Sequence, residues 1–188
     1  MIFEVVNAIS KELNLHLKYQ FGSTEDLVVF SNILDLNGGK ALQQDNTVHC
    51  LILKIEEDRT LNKTGGYRGP SAPTPSLFNV HVFFAATHSG KQYPEGVNLI
   101  TRIIEYFVQN QSLDSTKIDG LPENIDRLTV DYLSLEYNEL SNVWSTIGTK
   151  LLPFAAYKIG FIPIQPIASL NSKIERISGM GTNLDQKN

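Results

Sequence analysis

Apolar residues near the start of the chain recur every three or four positions. This spacing covers residues 2–17 and places one stripe of apolar side chains along a helix. The same spacing returns over residues 97–109 and again over residues 139–151, where Asn138 is the expected N-cap. The pattern therefore predicts three amphipathic helices.

Between these helices the apolar residues alternate or form short continuous runs, which is typical of β-strands. The predicted strands cover residues 27–30, 47–55, 77–86, 128–135 and 154–164. The second of them is apolar on both faces, which predicts a central, covered strand. The element order α-β-β-β-α-β-α-β predicts an α/β (α+β) fold, with a mixed β-sheet and about three packed helices. We expect a β-meander followed by two βαβ-like crossovers.

The pattern indicates one domain over residues 1–165 and a C-terminal tail over residues 166–188. A chain of 188 residues is long enough to bury one substantial core. The tail is more weakly patterned than the segments before it, and we expect it to order on a partner.

A long polar segment interrupts the apolar pattern at residues 59–76. It contains three glycines, three prolines and almost no apolar residue. Loops of this length in compact domains are usually functional or disordered. We expect an arm or contact loop here, with four side chains as candidate partner contacts: Arg59, Lys63, Tyr67 and Arg68.

The charge balance argues against a general nucleic-acid binder, because the net charge is −4 and the isoelectric point is about 5.5. The single cysteine, Cys50, excludes an intramolecular disulfide and is compatible with a reducing compartment. The N-terminus lacks the pattern of a signal peptide, and no apolar run reaches the roughly 20 residues that span a bilayer. We expect cytoplasmic synthesis and no membrane insertion.

Cys50 and the four histidines were the strongest candidates for catalysis. His49 and Cys50 are strand neighbours that face opposite sides, so they do not form a dyad with each other. His81 could approach Cys50 from an adjacent strand, which leaves a small enzyme as an alternative. A buried, unreactive thiol is the simpler interpretation of a cysteine among apolar strand residues.

Metal and nucleotide sites find little support in the sequence. No pair of histidines has the spacing of a zinc helix or knuckle, so no metal site is predicted. The glycine-rich residues 65–70 lack the Gly-Lys-Ser/Thr ending of a phosphate-binding loop, so no cofactor is predicted either.

The segment at residues 140–159 carries a recognisable motif. It reads Leu-x-x-Val-Trp-x-x-Ile-Gly-x-Lys, then a proline, then Ala-Tyr-Lys-Ile. The motif residues are Trp144, Gly148, Lys150, Pro153, Tyr157 and Lys158. Together with the N-terminal helix, the strand and acidic turn at 48–58 and the segment at 78–107, this motif resembles one family. It is the N-terminal domain of the cap or tail-terminator proteins of phage-tail-like contractile injection systems, of the antifeeding prophage and Photorhabdus virulence cassette type.

The resemblance implies a structural protein without cofactor or catalysis. Such proteins close the distal end of the inner tube and sheath as a ring, usually with six-fold symmetry. They stop polymerisation and help to hold the extended sheath. The implied partners are further copies of the chain and the tube and sheath proteins, in a particle that is extracellular or cell-anchored. A baseplate or tube-adaptor subunit of the same particle is the alternative. The motif residues are expected to fix the fold, with Trp144 as a core residue or an interface anchor.

Overall fold

The computed structural model describes residues 1–42, 46–58 and 76–164, apart from the side chain of Phe161. Within these residues the elements are α1 (Ile2–Phe21), β1 (Val28–Phe30), β2 (Val48–Glu57), β3 (Ser76–Ala86), α2 (Tyr93–Gln109), β4 (Ser112–Leu113), β5 (Leu128–Tyr132), α3 (Tyr137–Ile147) and β6 (Phe154–Ile164). The predicted single-domain mixed sheet with three helices is confirmed. The predicted tail at 166–188 lies outside the described residues.

All six strands belong to one sheet with the order β1-β2-β3-β6-β5-β4. The pair β1–β2 is parallel, and every other neighbouring pair is antiparallel. The sheet is therefore mixed, as predicted. The expected β-meander is wrong at its first step, because β1 and β2 run in the same direction.

Helices α2 and α3 each connect two of the predicted strands, but only the pair joined through α2, β3 and β5, runs in the same direction. Strands β3 and β5 point the same way with β6 between them, as a crossover requires. The second predicted crossover is wrong, because α3 joins β5 to β6 and these strands are antiparallel neighbours. A connecting helix returns the chain to the sheet without fixing the direction of the next strand. The order of elements therefore does not determine whether β5 and β6 are parallel or antiparallel.

The two faces of the sheet bury separate hydrophobic clusters. Helices α1 and α2 cover one face, where Val82, Phe84 and Tyr157 lie in the larger cluster. Helix α3 covers the other face, where Phe83 and Trp144 lie in the smaller one. Successive residues of β3 point to opposite faces of the sheet. Strand β3 is thus fully buried over Val82–Ala86 and ties both layers together.

Helix ends differ from the prediction at three points. Helix α2 begins four residues early, since Pro94 occupies its first turn rather than ending a loop. The N-cap of α3 is Glu136 instead of Asn138, and it forms a reciprocal capping box with Glu139. Helix α3 ends at Ile147, because Gly148 adopts a left-handed conformation with φ of 80° and stops the helix before residue 151.

Candidate functional site

Trp144 lies between helix α3 and the sheet. Its ring packs edge-on against Phe83, with 5.4 Å between centroids, and against Phe154 at 5.9 Å. The residue is only 6% exposed. Its indole N–H is buried and has no hydrogen-bond partner among the described residues. Trp144 is therefore a core residue by packing, and its indole N–H lacks a partner within the described ranges of the chain.

A groove of about 400 Å³ runs along α3 next to Trp144. We call it the α3 groove, and its main lining residues are Tyr137, Leu140, Trp144, Gly148 and Leu151. Tyr137 is 92% exposed and Leu151 is 65% exposed. Exposed apolar side chains that border a concave surface mark candidate sites of protein–protein contact. Sequence patterns did not reveal this groove, because its walls come from both α3 and the segment that follows it.

The remaining motif residues support the local fold in different ways. The carbonyl of Pro153 accepts a hydrogen bond of 2.9 Å from the backbone N–H of Ala86, which anchors the start of β6. Gly148 caps α3, and Lys150 is exposed just beyond it. The left-handed Gly148 and the Pro153 hydrogen bond therefore shape how the chain turns from helix α3 into strand β6, whereas the part that Lys150 plays stays a prediction.

Tyr157 packs against Phe107 on the opposite face of the sheet, with 4.5 Å between ring centroids, and against Tyr132 at 5.4 Å. Burial raises the pKa of its phenol, with a smaller contribution from Tyr132. The Tyr157 hydroxyl also has no hydrogen-bond partner in the described part of the chain. A second apolar pocket of about 300 Å³ lies here, bordered by the exposed Val108.

Lys158 belongs to a row of ionisable side chains that crosses the sheet. Cross-strand pairing aligns Lys54, His81, Lys158 and Asp131 on four adjacent strands. The Lys158 ammonium lies 3.7 Å from the Asp131 carboxylate. The Glu56 carboxylate contacts both Lys54 and His81, and Lys54 contributes most to holding its pKa below the usual value. This row forms a polar surface on the part of the sheet beyond α3.

Cys50 and the histidines do not form a catalytic arrangement. Cys50 is fully buried, and desolvation raises the pKa of its thiol to about 12, so the thiolate is disfavoured. The His81 ring lies 3.1 Å from Glu56, on the strand position that pairs with Lys54 rather than with Cys50. His49 is also buried, and its Nδ1 lies 3.0 Å from the Asn32 carbonyl oxygen.

The described part of the chain offers neither a metal site nor a membrane-spanning helix. No group of three or more histidine, cysteine, aspartate or glutamate side chains is placed there to hold a metal ion. Among the helices described, none is sufficiently long and apolar to cross a membrane.

The predicted contact residues Arg59, Lys63, Tyr67 and Arg68 lie outside the described residues, so their role stays a prediction. What the structure does place is the base of their loop. Strands β2 and β3 form an antiparallel hairpin, and the Asp58 N–H donates a 2.8 Å hydrogen bond to the Leu77 carbonyl. Residues 59–75 therefore connect the paired ends of two antiparallel strands.

The fold is that of terminator proteins of contractile injection systems. It is similar to the sheath/tube terminator of the extracellular contractile injection system PVC in its extended state, with a TM-score of 0.65 and 15% identity. It is also similar to the tube-terminating cap of the anti-feeding prophage, with a TM-score of 0.56 and 17% identity. These matches cover 100% and 90% of this chain but only 64% and 60% of the two terminator chains.

Residues 4–173 match the model of the Pvc16 N-terminal domain, and the chain belongs to this family. A comparison with curated proteins found no match. The family agrees with the resemblance seen in the sequence motif. The chain spans about three fifths of the length of the two solved terminators, so their roles as whole proteins are carried over only as proposals.

Proposed function

We propose that the protein is a structural terminator that closes the distal end of the inner tube and sheath of a contractile injection system. It would stop polymerisation and stabilise the extended sheath. The observation that supports this most is the match of the entire chain to the fold of a sheath/tube terminator at a TM-score of 0.65. The tube-terminating cap with the same fold supports the same role.

We propose that the protein acts as a ring of identical subunits. Six copies of the 21.0 kDa chain give a ring of about 126 kDa, which fits a tube of six-fold symmetry. The sheet supports such an arrangement because its two edges differ, with β1 at one and β4 at the other. Unlike edges suit head-to-tail contacts, which close into a ring when the rotation between subunits allows it.

The proposed role is not enzymatic and needs no cofactor. The suppressed ionisation of Cys50 supports this, because a thiol with a pKa of about 12 is a poor nucleophile at neutral pH. Assembly would take place in the cytoplasm, and the finished particle would be released outside the cell or anchored to it.

Sedimentation of the purified chain, alone and with isolated tubes and sheaths, tests the proposal. We expect an assembly near 126 kDa and end-specific binding, visible when the chain carries a gold label in electron micrographs. A chain that stays monomeric and labels neither tube nor sheath ends would refute the terminator role. Labelling of the baseplate end would favour the alternative of a baseplate or tube-adaptor subunit.

A further inference from the structure

The α3 groove has the features of a contact site for a protein segment. Its lining combines apolar side chains, among them Leu140, Trp144 and Leu151, with the hydroxyl groups of Ser141, Ser145 and Thr149. Its border residues Tyr137 and Leu151 are exposed, and the buried Trp144 N–H has no partner in the described residues.

The sequence after β6 contains a segment that fits an apolar groove. Its apolar residues are Ile167, Leu170, Ile174 and Ile177. The intervals of three, four and three residues place them in one narrow stripe at helical spacing. Pro166 precedes the stripe and Gly179 follows it, at the positions where these residues start and stop helices.

The length of the chain shows which copy the segment can reach. The α3 groove lies beside the start of β6, since Trp144 contacts Phe154, whereas the segment follows the other end of β6 at Ile164. Ten residue steps of a strand separate these points by about 33 Å. Leu170 is six residues past Ile164 and reaches about 21 Å at most. The apolar stripe as a whole therefore cannot reach the groove of its own chain.

The charges around the groove and on the segment are complementary. Residues 136–150 carry Glu136, Glu139 and Lys150, which gives a net charge of −1. Residues 165–179 carry Lys173, Arg176 and Glu175, which gives a net charge of +1. Opposite charges at the border of an interface favour the correct register and speed association.

We propose that residues 167–177 of one copy dock in the α3 groove of the neighbouring copy. This inference rests on the proposed function, since it specifies how the subunits of the terminator ring contact each other. Each subunit gives its C-terminal segment to one neighbour and receives a segment from the other, which is a head-to-tail arrangement. Leu170 and Ile174 pack beside Trp144 and Leu151 of the receiving copy.

Mixing two variants of the full chain, each with one cysteine added to the native Cys50, tests docking between copies. Leu151→Cys labels the groove and Ile174→Cys labels the segment, while the buried native Cys50 stays unreactive. We expect a short bismaleimide to link the two variants into a heterodimer. The matched control is Ser172→Cys, which helical spacing places opposite the apolar stripe, and we expect it to give about tenfold less product. Equal yields, or no heterodimer, would overturn the proposal.

A second experiment shows whether a negative result contradicts the docking alone or the proposed function as well. Leu170→Asp combined with Ile174→Asp is expected to raise the concentration needed for assembly at least about tenfold, because two buried side chains become charged. Ser169→Asp combined with Ser172→Asp adds the same charge off the stripe and should leave assembly within about twofold. If the first pair also leaves assembly unchanged, the docking is wrong while the ring stands. If the wild-type chain never assembles, both fail.

Discussion

Trp144 is where the packing of the fold meets the candidate contact surface. Its ring fills the space between Phe83 and Phe154, and the same residue lines the α3 groove. Trp144 can contribute to the core and to the groove because part of its surface packs against Phe83 and Phe154 while another part lines the groove. The family motif thus marks a residue that supports the fold and the surface at once.

Replacing Trp144 with alanine separates these two contributions. We expect the Trp144→Ala variant to lose about 3–5 kcal/mol of unfolding free energy, since a large buried ring leaves a cavity against Phe83. Denaturant titration measures this loss, and Trp144→Phe, which keeps an aromatic ring, should lose less. Unchanged stability with loss of assembly would instead mean that the tryptophan acts only as an interface anchor.

Because His49 is buried, we expect the folded protein to lose stability in acid. Desolvation lowers its pKa in the folded protein below the ordinary 6.5, despite the opposing hydrogen bond to Asn32. The unfolded chain therefore binds the proton more readily, and stability falls as the pH drops below 6.5. One such group contributes at most about 1.4 kcal/mol per pH unit.

Chemical denaturation between about pH 7.5 and about pH 5.5 measures this effect, because this window spans the unfolded pKa of histidine. The His49→Gln variant should show a shallower decline than the wild type. A residual slope is expected, since desolvation also lowers the pKa of the buried His88. An identical slope in variant and wild type would show that His49 does not contribute.

At the scale of the elements, the first turns of helix α2 pack closely against the end of strand β3. A side chain at Gly96 would place its Cβ 2.8 Å from the Cβ of His88 and 3.2 Å from the Cβ of Ala86. Both contacts are with atoms near the backbone, which have little room to move. Glycine therefore permits the approach of α2 to the end of β3.

The Gly96→Ala substitution tests this close approach. Alanine is the better helix former, yet we expect a net loss of about 1–3 kcal/mol because the added methyl group overpacks the contact. Thermal or chemical unfolding measures the change. Asn98→Ala on the exposed side of α2 is the control and should be neutral or slightly stabilising. A stabilised Gly96→Ala variant would contradict the packing described here.

Strong periodicity made most elements predictable from sequence. Helix α1 and strands β3 and β6 lie close to where their apolar patterns place them, since each buries a continuous face. Strand β4 was missed because two residues, Ser112 and Leu113, are too few to show a period. The N-cap of α3 was misassigned because Glu136 and Asn138 are both plausible, and only the geometry of the capping box distinguishes them.

The α3 groove could not be derived from sequence in the same way. Trp144 belongs to an apolar helical stripe, which predicts burial but not the environment of its N–H. That environment depends on Phe83 and Phe154, which are distant in sequence and pack against the ring, and no acceptor reaches the indole from the residues that the structure describes. Strand direction was equally undetermined, because the helix between β5 and β6 is compatible with either orientation.

At the scale of the whole molecule, the fold is an open sheet with helices on both faces and unlike edges. In the proposed ring, the two unlike edges would face two different neighbouring copies. The whole chain matches the fold of one sheath/tube terminator with a TM-score of 0.65. We therefore propose that the protein ends the growth of tube and sheath.

Electron microscopy of particles from cells that lack this gene tests the claim most directly. We predict that particles still assemble but have aberrant tube lengths or loose distal sheath ends, because nothing stops polymerisation there. The wild-type gene should restore uniform lengths, while the Leu170→Asp and Ile174→Asp variant should not. Complete absence of particles would point to a baseplate role, and tubes of unchanged length with intact sheath ends would contradict the terminator function.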